Sequence, residues 1–91
     1  MTELSTYDGK SIRELALEVV RDYRLKNKQM PYVMAPYVEA MLSLESIGDK
    51  YYLDSGDDIV LRFLSNAGGW RGEVARGVKA ALKKKLIKNS I

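Results

Sequence analysis

Seven lysines and arginines crowd the segment from Trp70 to Lys88, where a single carboxylate, Glu73, opposes them. Guanidinium groups pair bidentately with guanine edges, and ammonium groups add a salt-sensitive attraction to phosphates, so this residue set has the chemistry to hold a nucleic acid. The residues placed to do so are Arg71, Arg76, Lys79, Lys83 and Lys84, with Lys85 and Lys88 farther along against phosphates. Seven cations less one acid give residues 70–91 about +6, so residues 1–69 carry −3 of the chain's net +3. Charge segregated in this way bears on partners and association rather than on fold.

Two other clusters invite chemistry. Asp54, Asp57 and Asp58 offer the carboxylates that a divalent cation needs, but their spacing matches no calcium loop. Their place at the start of a helical pattern favours capping, where carboxylates meet the positive end of the helix dipole. Tyr32, Tyr37, Tyr51 and Tyr52 offer an aromatic surface for a protein or for stacked bases. They lie in a segment, residues 29–58, that nets −5, which disfavours a phosphate backbone across it; half-buried core edge is the plainer reading. The chain has no Cys and no His. Disulfides, thiolate and imidazole metal sites, Ser-His and Cys-His catalysis are thereby excluded. No cofactor or metal is expected, and the expectation is a non-enzyme.

The elements that would position these groups read as an all-α domain of about four helices. At 91 residues and 46% apolar content the chain can build one core, not two, with residues 1–10 loosely ordered. Ser11-Ile12-Arg13-Glu14 is a capping box, and Ile12, Leu15, Ala16, Val19 and Tyr23 follow at helical spacing. Arg13, Glu14, Glu18, Arg21 and Asp22 fall mostly on the opposite face, while Leu17 and Val20 widen the apolar stripe. A near-repeat, Pro31-Tyr32-Val33-Met34-Ala35 and Pro36-Tyr37-Val38-Glu39-Ala40, leads into a second helix. Pro36 disfavours helix at Ala35 and suits the first helical position, and Gly48 is placed for a C-terminal cap beyond Leu44 and Ile47.

Lys50-Tyr51-Tyr52-Leu53 reads as a short extended segment. A third helix runs for about ten residues from Asp57, with Ser55 as its cap and Ile59, Val60, Phe63 and Leu64 buried. Asn66-Ala67-Gly68-Gly69 ends it. A fourth then runs from about Trp70 to Lys88 with Trp70, Val74, Ala75, Val78, Ala81, Leu82 and Leu86 on one side. Gly72 and Gly77 fall inside that stretch and each costs about 1 kcal/mol against Ala, which points to close approach of another backbone.

Helices three and four with a glycine turn between them outline a helix-turn-helix. In that arrangement Arg71 and Arg76 lie nearest the end that meets bases. A solvated lysine-rich helix, its charge suiting the negative end of its own dipole, has the same pattern. The −5 middle and +6 tail are also complementary between chains, so a self-associating protein-interaction module is the alternative. The expected setting is cytoplasmic, because no apolar run approaches the roughly 18 residues of a membrane span and residues 1–10 lack a signal-peptide core.

The stretch from Phe63 to Lys83, and within it Trp70-Arg71-Gly72 with Ala75, Arg76, Lys79 and Leu82, resembles the tail of small uncharacterised proteins encoded in phages and prophages. The resemblance covers about a quarter of the chain. It implies a phage or prophage origin and supplies no activity. It draws attention to Trp70 and Gly72, which are expected to anchor helix four, and to Arg71, which has a structural use if it pairs with Asp57 or Asp58.

Overall fold

A computed structural model of the chain describes residues 7–44, 50–51 and 54–90, without the side chains of residues 50, 51, 54, 55 and 87–90. Four helices form there: α1 (Ile12–Leu25), α2 (Ala35–Leu42), α3 (Gly56–Asn66) and α4 (Glu73–Ser90). Two-residue strands β1 (Lys50–Tyr51) and β2 (Asp54–Ser55) pair antiparallel, Lys50 opposite Ser55 and Tyr51 opposite Asp54. The chain is therefore all-α with four described helices, and Lys50–Tyr51 of the expected extended segment is paired with the residues that lead into α3.

The capping box forms as its sequence requires. The Ser11 hydroxyl accepts from the Glu14 amide at 3.1 Å, and Glu14 Oε1 accepts from the Ser11 amide at 2.8 Å. That second bond stabilises the charged form and holds the Glu14 carboxyl below its ordinary value. From the cap, α1 buries Ile12, Leu15, Ala16, Val19 and Tyr23. It differs from the expected face at two positions. Asp22 is 8% exposed and belongs to the buried stripe, whereas Leu17 is 51% exposed. Asp22 lies three residues beyond Val19, so helical geometry puts it under the core, and a partner described below makes the burial tolerable. The helix ends at Lys26, and Asn27 turns the chain with φ 55°.

α2 starts one residue earlier and ends sooner than the proline and glycine signals suggest. Pro31 opens a turn in which Met34 and Ala35 donate to its carbonyl at 2.9 and 3.3 Å, so Ala35 is already helical and Pro36 occupies the first turn. The helix stops at Leu42, with Ser43 as cap. Leu44 is buried from outside the helix. Ile47 and Gly48 lie outside the described residues.

α3 carries Asp57 and Asp58 in its first turn and buries Ile59, Val60 and Phe63. Its last turn back-bonds through side chains, Ser65 Oγ to the Leu61 carbonyl and Asn66 Nδ2 to the Arg62 carbonyl. α1 packs against α2 and α4, and α2 against α3. The core lies between these layers, where Trp70 and Phe63 are the largest fully buried side chains.

α4 begins at Glu73, three residues later than expected, and buries Ala75, Val78, Ala81 and Leu82. Gly72 is outside the helix, with φ 113°, a conformation that side-chain-bearing residues rarely adopt. Only Gly77 is truly helical, and what approaches it is a side chain. A Cβ there would fall 2.5 Å from two ring atoms of Tyr7. The segment Tyr7–Lys10 is thus docked on α4, closed by a Lys10 amide bond to the Tyr7 carbonyl and by Lys84 on Asp8.

Candidate nucleic-acid interface

The connector 67–72 and the first turns of α4 hold most of the candidate residues, and Trp70 fixes them. Its indole is 2% exposed, stacked on Tyr23 at 6.4 Å and edge-on to Phe63 at 6.2 Å between ring centroids. The indole N–H donates to Asp22 Oδ2 at 2.7 Å, and the Lys26 ammonium sits 3.0 Å from the same oxygen. Lys26 also donates to the Arg71 carbonyl at 3.0 Å. A buried carboxylate is stabilised by such charge-assisted bonds, so Asp22, Lys26 and Trp70 form one satisfied network tying α1 to the connector. Desolvation pushes the neighbouring Tyr23 phenol above its ordinary value, and the hydroxyl meets Met34 Sδ at 3.6 Å. Trp70 is buried just ahead of α4, and Gly72 makes the turn into the helix at φ 113°.

The five cations expected to meet a nucleic acid separate into two groups. Lys79 turns inward: its ammonium donates to the carbonyls of Ala67 at 2.7 Å and Trp70 at 2.8 Å and lies 5.9 Å from the indole centroid. It closes the connector from below and is not available to a phosphate. Burial lowers its pKa, and the like charges of Lys83 and Arg71 lower it further. Lys84 is exposed but paired, 2.8 Å from Asp8. Arg71, Arg76 and Lys83 are exposed, and among the described residues none of them forms an ion pair. The pairing of Arg71 with Asp57 or Asp58 does not occur; Arg71 contributes its carbonyl instead. Arg76 and Lys83 are seven residues apart on α4, two turns and about 10.5 Å along one face.

The helix-turn-helix outline fits less well. The connector spans residues 67–72, longer than the three or four residues that motif uses, and Arg71 precedes α4 rather than riding on its first turn. Of the acidic cluster, Asp57 and Asp58 sit in the first turn of α3, where capping puts them, and the side chain of Asp54 lies outside the described residues. Tyr37 is partly buried against the core and Tyr32 stands in solvent; the side chains of Tyr51 and Tyr52 lie outside the described residues.

Asp22 and Lys26 escaped the sequence reading as site residues. The spacing of Asp22, three residues after Val19, is the one local signal that it shares the buried register of α1, and nothing local marks Trp70, forty-eight residues away, as its partner. No described helix is long and apolar enough to cross a membrane. Comparison with protein-family models, curated proteins and solved structures returned no match.

Proposed function

We propose that the chain is a small nucleic-acid-binding protein of phage or prophage type, acting in the cytoplasm by binding rather than catalysis, through the basic face formed by Arg71, Arg76 and Lys83. The observation that carries this reading is the division among the cations. Lys79 and Lys84 are used within the protein, while these three stay exposed and without acidic partners among the described residues. Arg71 and Lys83 both lower the pKa of the partly buried Lys79 ammonium, as like charges near it would. Such a patch binds phosphates by releasing counterions, with each contact adding to the salt dependence.

The test is fluorescence anisotropy with labelled random-sequence duplex and single-stranded oligonucleotides at two salt concentrations. Binding is expected to weaken with salt, with a logarithmic slope of roughly −2 to −3 for three phosphate contacts. Replacing Arg76 and Lys83 together by Ala should flatten that slope by about 1.4 to 1.8 while the fold survives. No complex with either form at low salt would sink the reading.

A second reading, a self-associating interaction module joining the acidic middle of one chain to the basic tail of another, draws on the exposure of Leu25, Tyr32 and Val33. It predicts a solution mass that rises with concentration and falls with salt.

A further inference from the structure

A cleft of about 390 Å³ opens where the end of α1 meets the connector before α4. Trp70 and Tyr23 line it together with Lys26, Lys28, Gln29 and Arg71. The volume lies within the range of small-ligand sites. Three cations ring it, and they are not equivalent. Lys26 is spent on Asp22 and on the Arg71 carbonyl. Lys28 and Arg71 are exposed and have no ion pair among the described residues, so two positive groups and the Gln29 amide remain to meet an anion.

A helix C-terminus ordinarily repels an anion, but here three carbonyls of its last turn are turned to backbone amides. Those of Asp22, Arg24 and Tyr23 accept from the amides of Lys26, Asn27 and Lys28 at 3.1, 3.1 and 3.0 Å. The Asp22 carboxylate is likewise turned inward to Trp70 and Lys26. On the opposite wall Gly69 carries no side chain, and nothing lies within 4 Å of where one would begin. A ligand can therefore approach the main chain there.

One residue past the cleft wall at Pro31 stands Tyr32, 86% exposed. It rides on a turn closed by the bonds of Met34 and Ala35 to the Pro31 carbonyl, with the Pro31 ring fixing one torsion at its start. An exposed aromatic on a rigid turn beside a cationic concavity is the combination that single-stranded nucleic acids use, with phosphate against charge and base against ring. The cleft is of mononucleotide size and takes one phosphate; a duplex, whose bases are stacked inside, leaves Tyr32 without a base face.

Building on the nucleic-acid reading above, we propose that this cleft is a single-strand site: Lys28 and Arg71 clamp a phosphodiester, and Tyr32 stacks an adjacent base. Arg71 belongs to both the cleft and the α4 face, so a strand leaving the cleft continues toward Arg76 and Lys83.

The test titrates the full chain with a labelled thymidine dodecamer, a matched duplex and free thymidine monophosphate, reading anisotropy and Trp70 fluorescence. The dodecamer is expected to bind more tightly than the duplex and to change the emission of Trp70, which is among the cleft's lining residues. Tyr32→Ala should weaken dodecamer binding by about fivefold or more with its salt slope unchanged, and Tyr32→Phe should restore it. Lys28→Ala should flatten the single-strand slope by about 0.7. Both positions are exposed, and the three substitutions should leave the thermal midpoint in place. Duplex binding that depends on Arg76 and Lys83, with the dodecamer indifferent to Tyr32 and Lys28, would overturn the cleft and leave the α4 reading standing. Thymidine monophosphate binding as tightly as the dodecamer would overturn the strand and leave a nucleotide pocket. No binding of any of the three would remove both readings together.

Discussion

Lys79 and Lys83 stand one turn apart on the same helix, carry the same charge, and do opposite things. The Lys79 ammonium is drawn under the connector by two carbonyls and the Trp70 ring, while Lys83 is exposed and has no ion pair among the described residues. The same contrast separates Trp70 from Arg71: one side chain is sealed in the core, and the next is exposed. A run of cations is thus a mixture of fasteners and contacts. What sorts them is the direction each side chain leaves the backbone, because an ammonium aimed at the connector carbonyls is worth more to the fold than to a distant phosphate.

The contrast can be broken most severely at its inner end. Trp70→Ala removes the largest buried side chain and leaves the Asp22 carboxylate without its indole partner. A loss of about 3–5 kcal/mol in a denaturant titration is expected, enough to unfold a domain of this size if its stability is ordinary. The paired substitutions Lys79→Met and Lys83→Met sharpen the comparison at constant chemistry. The first leaves the Trp70 carbonyl without its ammonium, while the Ala67 carbonyl keeps the Trp70 amide, and should cost about 1–3 kcal/mol; the second should stay within about 0.5 kcal/mol in stability and flatten the salt dependence of nucleic-acid binding. Equal stabilities for the two variants would show that Lys79 is no fastener.

The smallest effect concerns the outer layer. Gly77→Ala should gain up to about 1 kcal/mol from helix propensity, yet its new Cβ would collide with the Tyr7 ring. The substitution is expected to be neutral or destabilising alone and stabilising by about 1 kcal/mol once Tyr7 is also Ala. A double-mutant cycle in thermal unfolding reads that coupling directly.

Much of this architecture was legible along the chain because it depends on neighbours in sequence. The Ser11–Glu14 box, the apolar stripe of α1 and the acidic first turn of α3 are interactions over three or four residues, and each stands where the pattern puts it. The errors fall where distant contacts compete with local signals. α2 stops at Leu42, short of the glycine stop at Gly48. Trp70-Arg71-Gly72 continues the apolar register of α4, yet the chain leaves helical geometry there, with Gly72 at φ 113° and Trp70 turned to Asp22. The acid on the buried stripe of α1 became intelligible only with its indole partner from the other end of the chain.

By itself, then, the sequence determined the all-α class, the helix start at Ser11, and a basic tail set against an acidic remainder. Those follow from composition and from interactions within one helical turn, which the chain carries wherever it goes. Which lysines remain outside, that Asp22 is buried with Trp70, and that Lys28, Arg71 and Tyr32 gather around one cleft were decided by tertiary structure. Those facts depend on residues from 9 to 76 positions apart meeting in space, and helical periodicity gives the face a residue occupies but not what that face will meet.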